Sequence, residues 1–238
     1  MTNCPNCKSP ITDNFCSNCG QPTKLKRIDG HYILHEIVHV LHLEKGILYT
    51  IKELVIRPGE SVKHFIAENR NRLVKPVIFV IVTSLIYTII SHWFHVEPVQ
   101  PLEEQVRGSA LVVIFKWIEN HYGYSNIIMG MFIALWLKLF FMKYDYNFFE
   151  ILILLCFTMG IGMLTFAVAT IIEGLSGLHL FVIIQILSLI YSCWAIGQFY
   201  NKYKVTSYLK ALSAYLLGTF VFYFMAIILG IGIDLIFR

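Results

Sequence analysis

Residues 151–172 read ILILLCFTMGIGMLTFAVATII, a stretch without a single charged side chain. About 20 consecutive apolar residues are enough for a helix to cross the hydrocarbon core of a bilayer, so this segment is long enough to span a membrane. No charged residue recurs every three or four positions to give the helix a solvent-facing side. The stretch therefore predicts a transmembrane helix, which decides the fold class.

Four other segments have the same character, and the 238-residue chain is 57% hydrophobic and only 14% charged. A soluble all-α core is the alternative interpretation, but its helices would carry charged faces, which these segments lack. We therefore expect an all-α polytopic membrane domain over residues 76–238. Its five transmembrane helices are expected at about residues 77–94, 127–142, 151–172, 178–200 and 211–237.

Four cysteines at the start of the chain form two Cys-x-x-Cys pairs, Cys4 with Cys7 and Cys16 with Cys19. Two such pairs at short spacing are the ligand set of a structural zinc ribbon. Two disulfides are the alternative, but a segment this short has almost no apolar core and would stay unfolded without a metal. The spacing therefore predicts that residues 1–24 form a small zinc ribbon with these four cysteines as ligands.

The distribution of cations predicts the orientation of the chain. Of the 19 Lys and Arg residues, 11 precede the first predicted span, whereas Arg107 and Lys116 alone lie between the first two spans. Positive residues favour the cytoplasmic side, so we expect a cytoplasmic N-terminus and, after five spans, a C-terminus outside the inner membrane. The first thirty residues lack the apolar run of a cleavable signal peptide. A reducing cytoplasm would keep the four thiols available for zinc.

Residues 25–75, which we call the collar, link the ribbon to the membrane domain. Three short helices are expected here: His31–Leu43, with four histidines in one arc, then Leu48–Ile56, and a third that begins near Ser61 after a turn at Pro58 and Gly59. The third helix is expected to carry a basic rim to the bilayer edge. Such a rim suits anionic headgroups, at about 1 kcal/mol per cation, and it consists of Arg70, Arg72 and Lys75.

The collar also carries a resemblance to a known family. The runs Glu44–Leu54, Arg57-Pro58-Gly59-Glu60 and Asn69–Pro76 resemble bacterial membrane proteins of domain of unknown function family 3667. The resemblance covers about fifty residues. It implies a short zinc-ribbon head, a juxtamembrane signature and several following spans, and it brings no activity.

An enzymatic hypothesis rests on the H-E-x-x-H match formed by His35, Glu36 and His39. Histidines four residues apart on a helix can bind one zinc, while the glutamate between them activates water for hydrolysis. A third ligand of a recognised metalloprotease pattern does not follow the motif. A metal site without catalysis and a polar interfacial face are the alternatives, so we assign no catalytic residue and keep a zinc-dependent membrane hydrolase as the second hypothesis.

Other function classes have less support. Transporters usually keep ionisable residues near the middle of the bilayer, and this chain has few, although an oligomeric pore stays open as an alternative. Nucleic acid is an unfavourable partner, because the net charge is only +4 and the cations cluster beside the first span. We expect a non-enzymatic membrane module that recruits or senses a cytoplasmic protein through its ribbon and collar, either as a monomer or as a homo-oligomer.

Overall fold

The computed structural model describes residues 2–11, 14–22, 46–94, 109–178 and 180–237. Within these ranges, short strands β1 (Thr2–Asn3) and β2 (Pro10–Ile11) pair antiparallel near the N-terminus. The helices that follow are α1 (Ile47–Ile56), α2 (Pro58–Ala67), α3 (Pro76–Phe94), α4 (Ala110–Asn120), α5 (Tyr122–Phe140), α6 (Phe148–Ser176), α7 (Phe181–Asn201) and α8 (Val205–Phe237).

Five of the described helices, α3, α5, α6, α7 and α8, are long and apolar enough to cross a membrane. The prediction of an all-α chain with five apolar spans is therefore confirmed, with different ends for several helices. Helix α5 begins at Tyr122 rather than near residue 127. Hydropathy did not indicate this start, because the first turns contain the polar residues Ser125 and Asn126. Both side chains are buried among the other helices.

Helix α6 lies at the centre of the helical bundle and contacts α3, α5 and α7 as well as both described helices of the collar. Phe157 of α6 packs edge-on against Phe65 of α2, with ring centroids 5.4 Å apart. Phe79 of α3 contacts the same ring at 5.8 Å. Close helix packing here also depends on Gly160, because a Cβ at this position would lie 2.6 Å from the ring of Phe79. The segment quoted above is thus the core of the bundle.

Small residues line the side of helix α8 that packs against α5 and α4. Gly218 lies against the backbone of Ile133 in α5, and Gly230 lies against the backbone of Leu111 in α4. Ala214 and Ala226 are also buried. The small-xxx-small pairs of this span therefore join helices within one chain, as in many membrane proteins.

The described part of the collar corrects two expectations. Helix α2 begins at Pro58, so Pro58 and Gly59 belong to its first turn instead of preceding it. Proline suits this first position because it has no N–H that would need a partner. Helix α2 ends at Ala67, and the basic rim of Arg70, Arg72 and Lys75 lies in the non-helical connection to α3. The predicted helix His31–Leu43 lies outside the described residues.

Candidate metal centre and its contacts with the membrane domain

The two Cys-x-x-Cys pairs form two turns with the same backbone geometry. In the first turn, the N–H of Lys8 donates to the carbonyl of Cys4 at 3.0 Å, and the N–H of Cys4 donates to the carbonyl of Ser9 at 2.8 Å. In the second turn, Gly20 donates to Cys16 and Cys16 to Gln21, both at 2.8 Å. Each turn thereby directs two thiols toward the other turn.

The four predicted ligands converge on one point. Their sulfur atoms all lie within 4.8 Å of one another, with Cys4 and Cys19 at 3.6 Å and Cys7 and Cys16 at 3.5 Å. Thiolates bound to a tetrahedral Zn²⁺ at about 2.3 Å would be ~3.8 Å apart, so the observed spacing fits a tetrahedral site. All four cysteines are free thiols, and the disulfide alternative is absent among the described residues. These four residues could therefore hold one metal ion.

The thiols differ in how readily they ionise. Hydrogen bonding to the side chain and then to the backbone of Ser9 lowers the pKa of Cys7 to about 5. At Cys19 a hydrogen bond to the backbone of Gln21 favours the thiolate, but desolvation and the neighbouring thiols outweigh it and raise the pKa to about 11. Four thiolates this close together repel one another. A bound cation would remove that repulsion and allow all four to ionise.

A residue in the left-handed conformation follows the second cysteine of each turn. This residue is Lys8 in the first turn, with φ of 64°, and Gly20 in the second, with φ of 71°. A residue with a Cβ pays about 1–2 kcal/mol for this conformation, whereas glycine adopts it freely. The first turn therefore carries backbone strain that the second avoids.

We expect Lys8→Gly to tighten metal binding by about 1 kcal/mol and Gly20→Ala to weaken it by a similar amount. The two substitutions change the same conformational penalty in opposite directions at equivalent positions. Competition between the purified protein and a chromophoric zinc chelator measures both changes. Equal zinc affinities for the two variants would contradict the backbone strain that we assign to Lys8.

The ribbon contacts the collar through two side-chain hydrogen bonds. The buried Gln21 donates from its amide to the carbonyl of Glu68 at 2.6 Å. On the other turn, the amide of Asn69 donates to the Oδ1 atom of Asn6 at 2.8 Å. Each of the two metal-binding turns therefore has one contact with the connection between α2 and α3.

The Arg57-Pro58-Gly59-Glu60 run brings α2 into direct contact with α7. The carboxamide oxygen of Gln198 accepts the N–H of Gly59 at 2.8 Å and the N–H of Glu60 at 3.4 Å. N–H groups in the first turn of a helix have no partner within the helix, and Arg57 supplies no side-chain cap. A side chain from α7 thus caps α2. In a second contact with the collar, the hydroxyl of Tyr191 donates to the carbonyl of Leu54 at 3.0 Å.

An ion pair closes the same interface at its exposed edge. The Nζ atom of Lys202 lies 2.7 Å from Oε1 of Glu60. The hydrogen bond from Lys202 lowers the pKa of Glu60, and the same bond raises the pKa of Lys202. Both groups are therefore charged at neutral pH.

The lowered pKa of Glu60 predicts a small acid-dependent loss of stability. An ion-paired carboxylate stabilises the fold above its unfolded pKa of about 4.3, and this contribution disappears as the pH falls through the lower folded value. We expect Glu60→Gln to reduce the unfolding temperature slightly at pH 7, and this difference to shrink as the pH falls below about 4 and to vanish below the lowered folded pKa of Glu60. Thermal unfolding in detergent across this pH range measures the effect. A constant difference at every pH would contradict it.

The basic rim has partners inside the molecule. The guanidinium of Arg72 lies 3.0 Å from the carboxylate of Glu53 and donates to the hydroxyl of Tyr49 at 3.0 Å. The hydrogen bond with Tyr49, aided by the charge of Glu53, raises the pKa of Arg72. Arg72 therefore links the connection between α2 and α3 to helix α1.

The metal ligands are the only group of three or more His, Cys, Asp or Glu residues that could bind one ion in the described part of the chain. The hydrolase motif of His35, Glu36 and His39 lies outside the described residues. Gln198 and Tyr191 are the interface residues that sequence reasoning did not assign to the collar. The 139 residues between Gln198 and Gly59 conceal this pairing from sequence reasoning.

Comparison with protein families gives one match, which covers residues 44–88. No curated protein and no solved structure matches the chain. Residues 44–88 contain α1, α2 and the first two thirds of α3, and they include Gly59 but not its partner Gln198. The resemblance expected from the collar is confirmed: residues 44–88 match the family described as Protein of unknown function (DUF3667).

Proposed function

We propose that the chain is a non-enzymatic membrane module that recruits a protein partner through a zinc-bound ribbon held at the membrane surface. The observation that carries the proposal is the position of Phe15 in the ribbon. Its side chain is 63% exposed, although it lies one residue before the metal ligand Cys16. A large exposed aromatic side chain on a rigid, metal-bound turn has the character of a binding anchor.

The contacts of the ribbon support the same proposal. Gln21 and Asn6 hold the two turns on the collar, and the collar is capped by α7 through Gln198. A partner bound at Phe15 would therefore contact a ribbon that the collar connects to the helical bundle. Zinc is the metal that we assign to the four thiolates, because tetrahedral sulfur ligands favour it.

Photo-crosslinking tests the proposed partner site. Benzoylphenylalanine placed at Phe15 in living cells is expected to form an adduct with a second polypeptide. Phe220, which is exposed on α8, provides the matched control position and should give no such adduct. Cys16→Ser should abolish the adduct at Phe15 because the turn would no longer fold. Absence of any polypeptide adduct at Phe15 would refute the proposal.

The proposal also places the ribbon in the cytoplasm of a cell with an inner membrane. Lys138, Lys202 and Lys210 all lie at the ends of α5, α7 and α8 nearest to the collar, in agreement with the positive-inside rule. Alkaline phosphatase fused after Arg238 should therefore be active, because it is exported. A green fluorescent protein at the same position should be dark. The opposite pair of results would place the ribbon outside.

The described collar leaves an apolar face for the lipid headgroup region. Leu48 and Val55 of α1 are exposed on the same side of the helix as Lys52. We assign this face, together with Arg70 and Lys75, to contact with the bilayer surface, where long basic side chains and apolar residues are both stabilised.

A further inference from the structure

A cavity of about 470 Å³ lies inside the bundle at the end opposite the ribbon. Residues from α3 to α8 line it, and α4 closes it through Phe115 and Ile118. Aromatic rings form much of the wall, including Tyr87 and Tyr122, whose centroids are 5.1 Å apart. This volume lies in the range of pockets that bind small molecules, and the wall is mostly apolar, as in such pockets.

The cavity opens sideways between α7 and α8. Phe181 and Ile186 of α7 line the cavity and are also exposed at the surface of the bundle, as are Leu216 and Tyr223 of α8. None of the residues 181–191 is buried, so the first half of α7 packs only loosely on its neighbours. This side of the bundle faces the bilayer, and a ligand would therefore enter from the lipid.

The charge of the wall restricts the ligand further. Among the described residues that line the cavity, Glu119 is the only one with a charged side chain, and no Lys, Arg or His is present. An anionic ligand would enter a low-dielectric site without a cation to compensate its charge. An uncharged ligand avoids this cost.

We propose that the cavity binds an uncharged, lipid-soluble molecule whose apolar body lies between the aromatic rings. This binding site is independent of the ribbon and its partner, because no metal ligand or collar residue lines the cavity.

Photo-labelling of the full chain in lipid nanodiscs tests the proposal. The probe is a 1-monoacylglycerol with a diazirine in its acyl chain, and peptide mapping locates the labelled residues. We expect label on α4, α5, α7 and α8 at cavity residues, and we expect unlabelled 1-monooleoylglycerol to displace it. A fatty acid with the same diazirine chain, which is anionic, should label these residues several-fold less.

One variant and its matched control sharpen the test. Leu189→Trp fills the cavity and should reduce the label at least tenfold, whereas Leu187→Trp, on the exposed side of α7, should leave it unchanged. Label restricted to lipid-facing residues, label not displaced by 1-monooleoylglycerol, or equal label in Leu189→Trp and Leu187→Trp would overturn the proposal. The displacement experiment uses the unmodified chain and so decides the matter even if a variant fails to fold.

Discussion

Replacing Gly59 with alanine is expected to destabilise the protein by ~3 kcal/mol and to release α2 from α7. A Cβ at this position would lie 2.3 Å from the backbone nitrogen of Phe199 and 2.7 Å from the carbonyl oxygen of Ala195. Both are backbone atoms of a helix, which cannot turn aside as a flexible side chain can. The two helices must separate, and the hydrogen bonds from Gly59 and Glu60 to Gln198 are then lost.

Thermal unfolding in detergent measures this effect, and for a chain of this size ~3 kcal/mol corresponds to a fall of roughly 6–12 °C. Gly46→Ala is the matched control, because it lies at the start of α1 and a Cβ there has no atom within 4 Å. We expect this control to unfold at the temperature of the original protein. An equal shift in both variants would show that the contact between α2 and α7 is not the cause.

Loss of one metal ligand should unfold the ribbon. Cys16→Ser removes a buried thiolate from a site in which all four sulfurs lie within 4.8 Å. Binding of a structural zinc contributes about 10–16 kcal/mol to small domains with little apolar core. We therefore expect elemental analysis to fall from one zinc per chain to none, and limited proteolysis to cleave within residues 1–22.

Cysteines elsewhere in the chain provide the control for this experiment. Cys156 and Cys193 lie in α6 and α7, far from the metal ligands, so their serine variants should keep one zinc per chain. The double variant His35→Ala and His39→Ala tests the hydrolase motif in the same assay. Retention of one zinc by this variant removes both metal-binding versions of that hypothesis, and a fall from two zinc ions to one would support them.

The membrane helices and the metal ligands were predictable for physical reasons. An uncharged stretch such as residues 151–172 has no stable alternative to a buried helix, and the spacing of Cys4, Cys7, Cys16 and Cys19 matches the coordination of one ion. Both signals are local, because each depends on residues close together in the chain. The ends of α5 were less predictable, since Ser125 and Asn126 turn their polar groups inward.

The interface between the collar and the bundle was not predictable in the same way. Gly59 looks like a turn residue beside Pro58, yet its function is to allow a close approach to Phe199. Arg72 looks like a headgroup ligand, yet its guanidinium contacts Glu53 and Tyr49. In each case the deciding partner lies elsewhere in the fold, and nothing in the neighbouring sequence identifies it.

The contact between Gly59 and Gln198 also affects how the protein is made. The ribosome must add 139 residues after Gly59 before its partner exists, which takes roughly 7–28 s at typical rates of synthesis. During that interval Gln198 is not available to cap the first turn of α2. The emergence of α7 therefore completes the assembly of a segment that is translated much earlier.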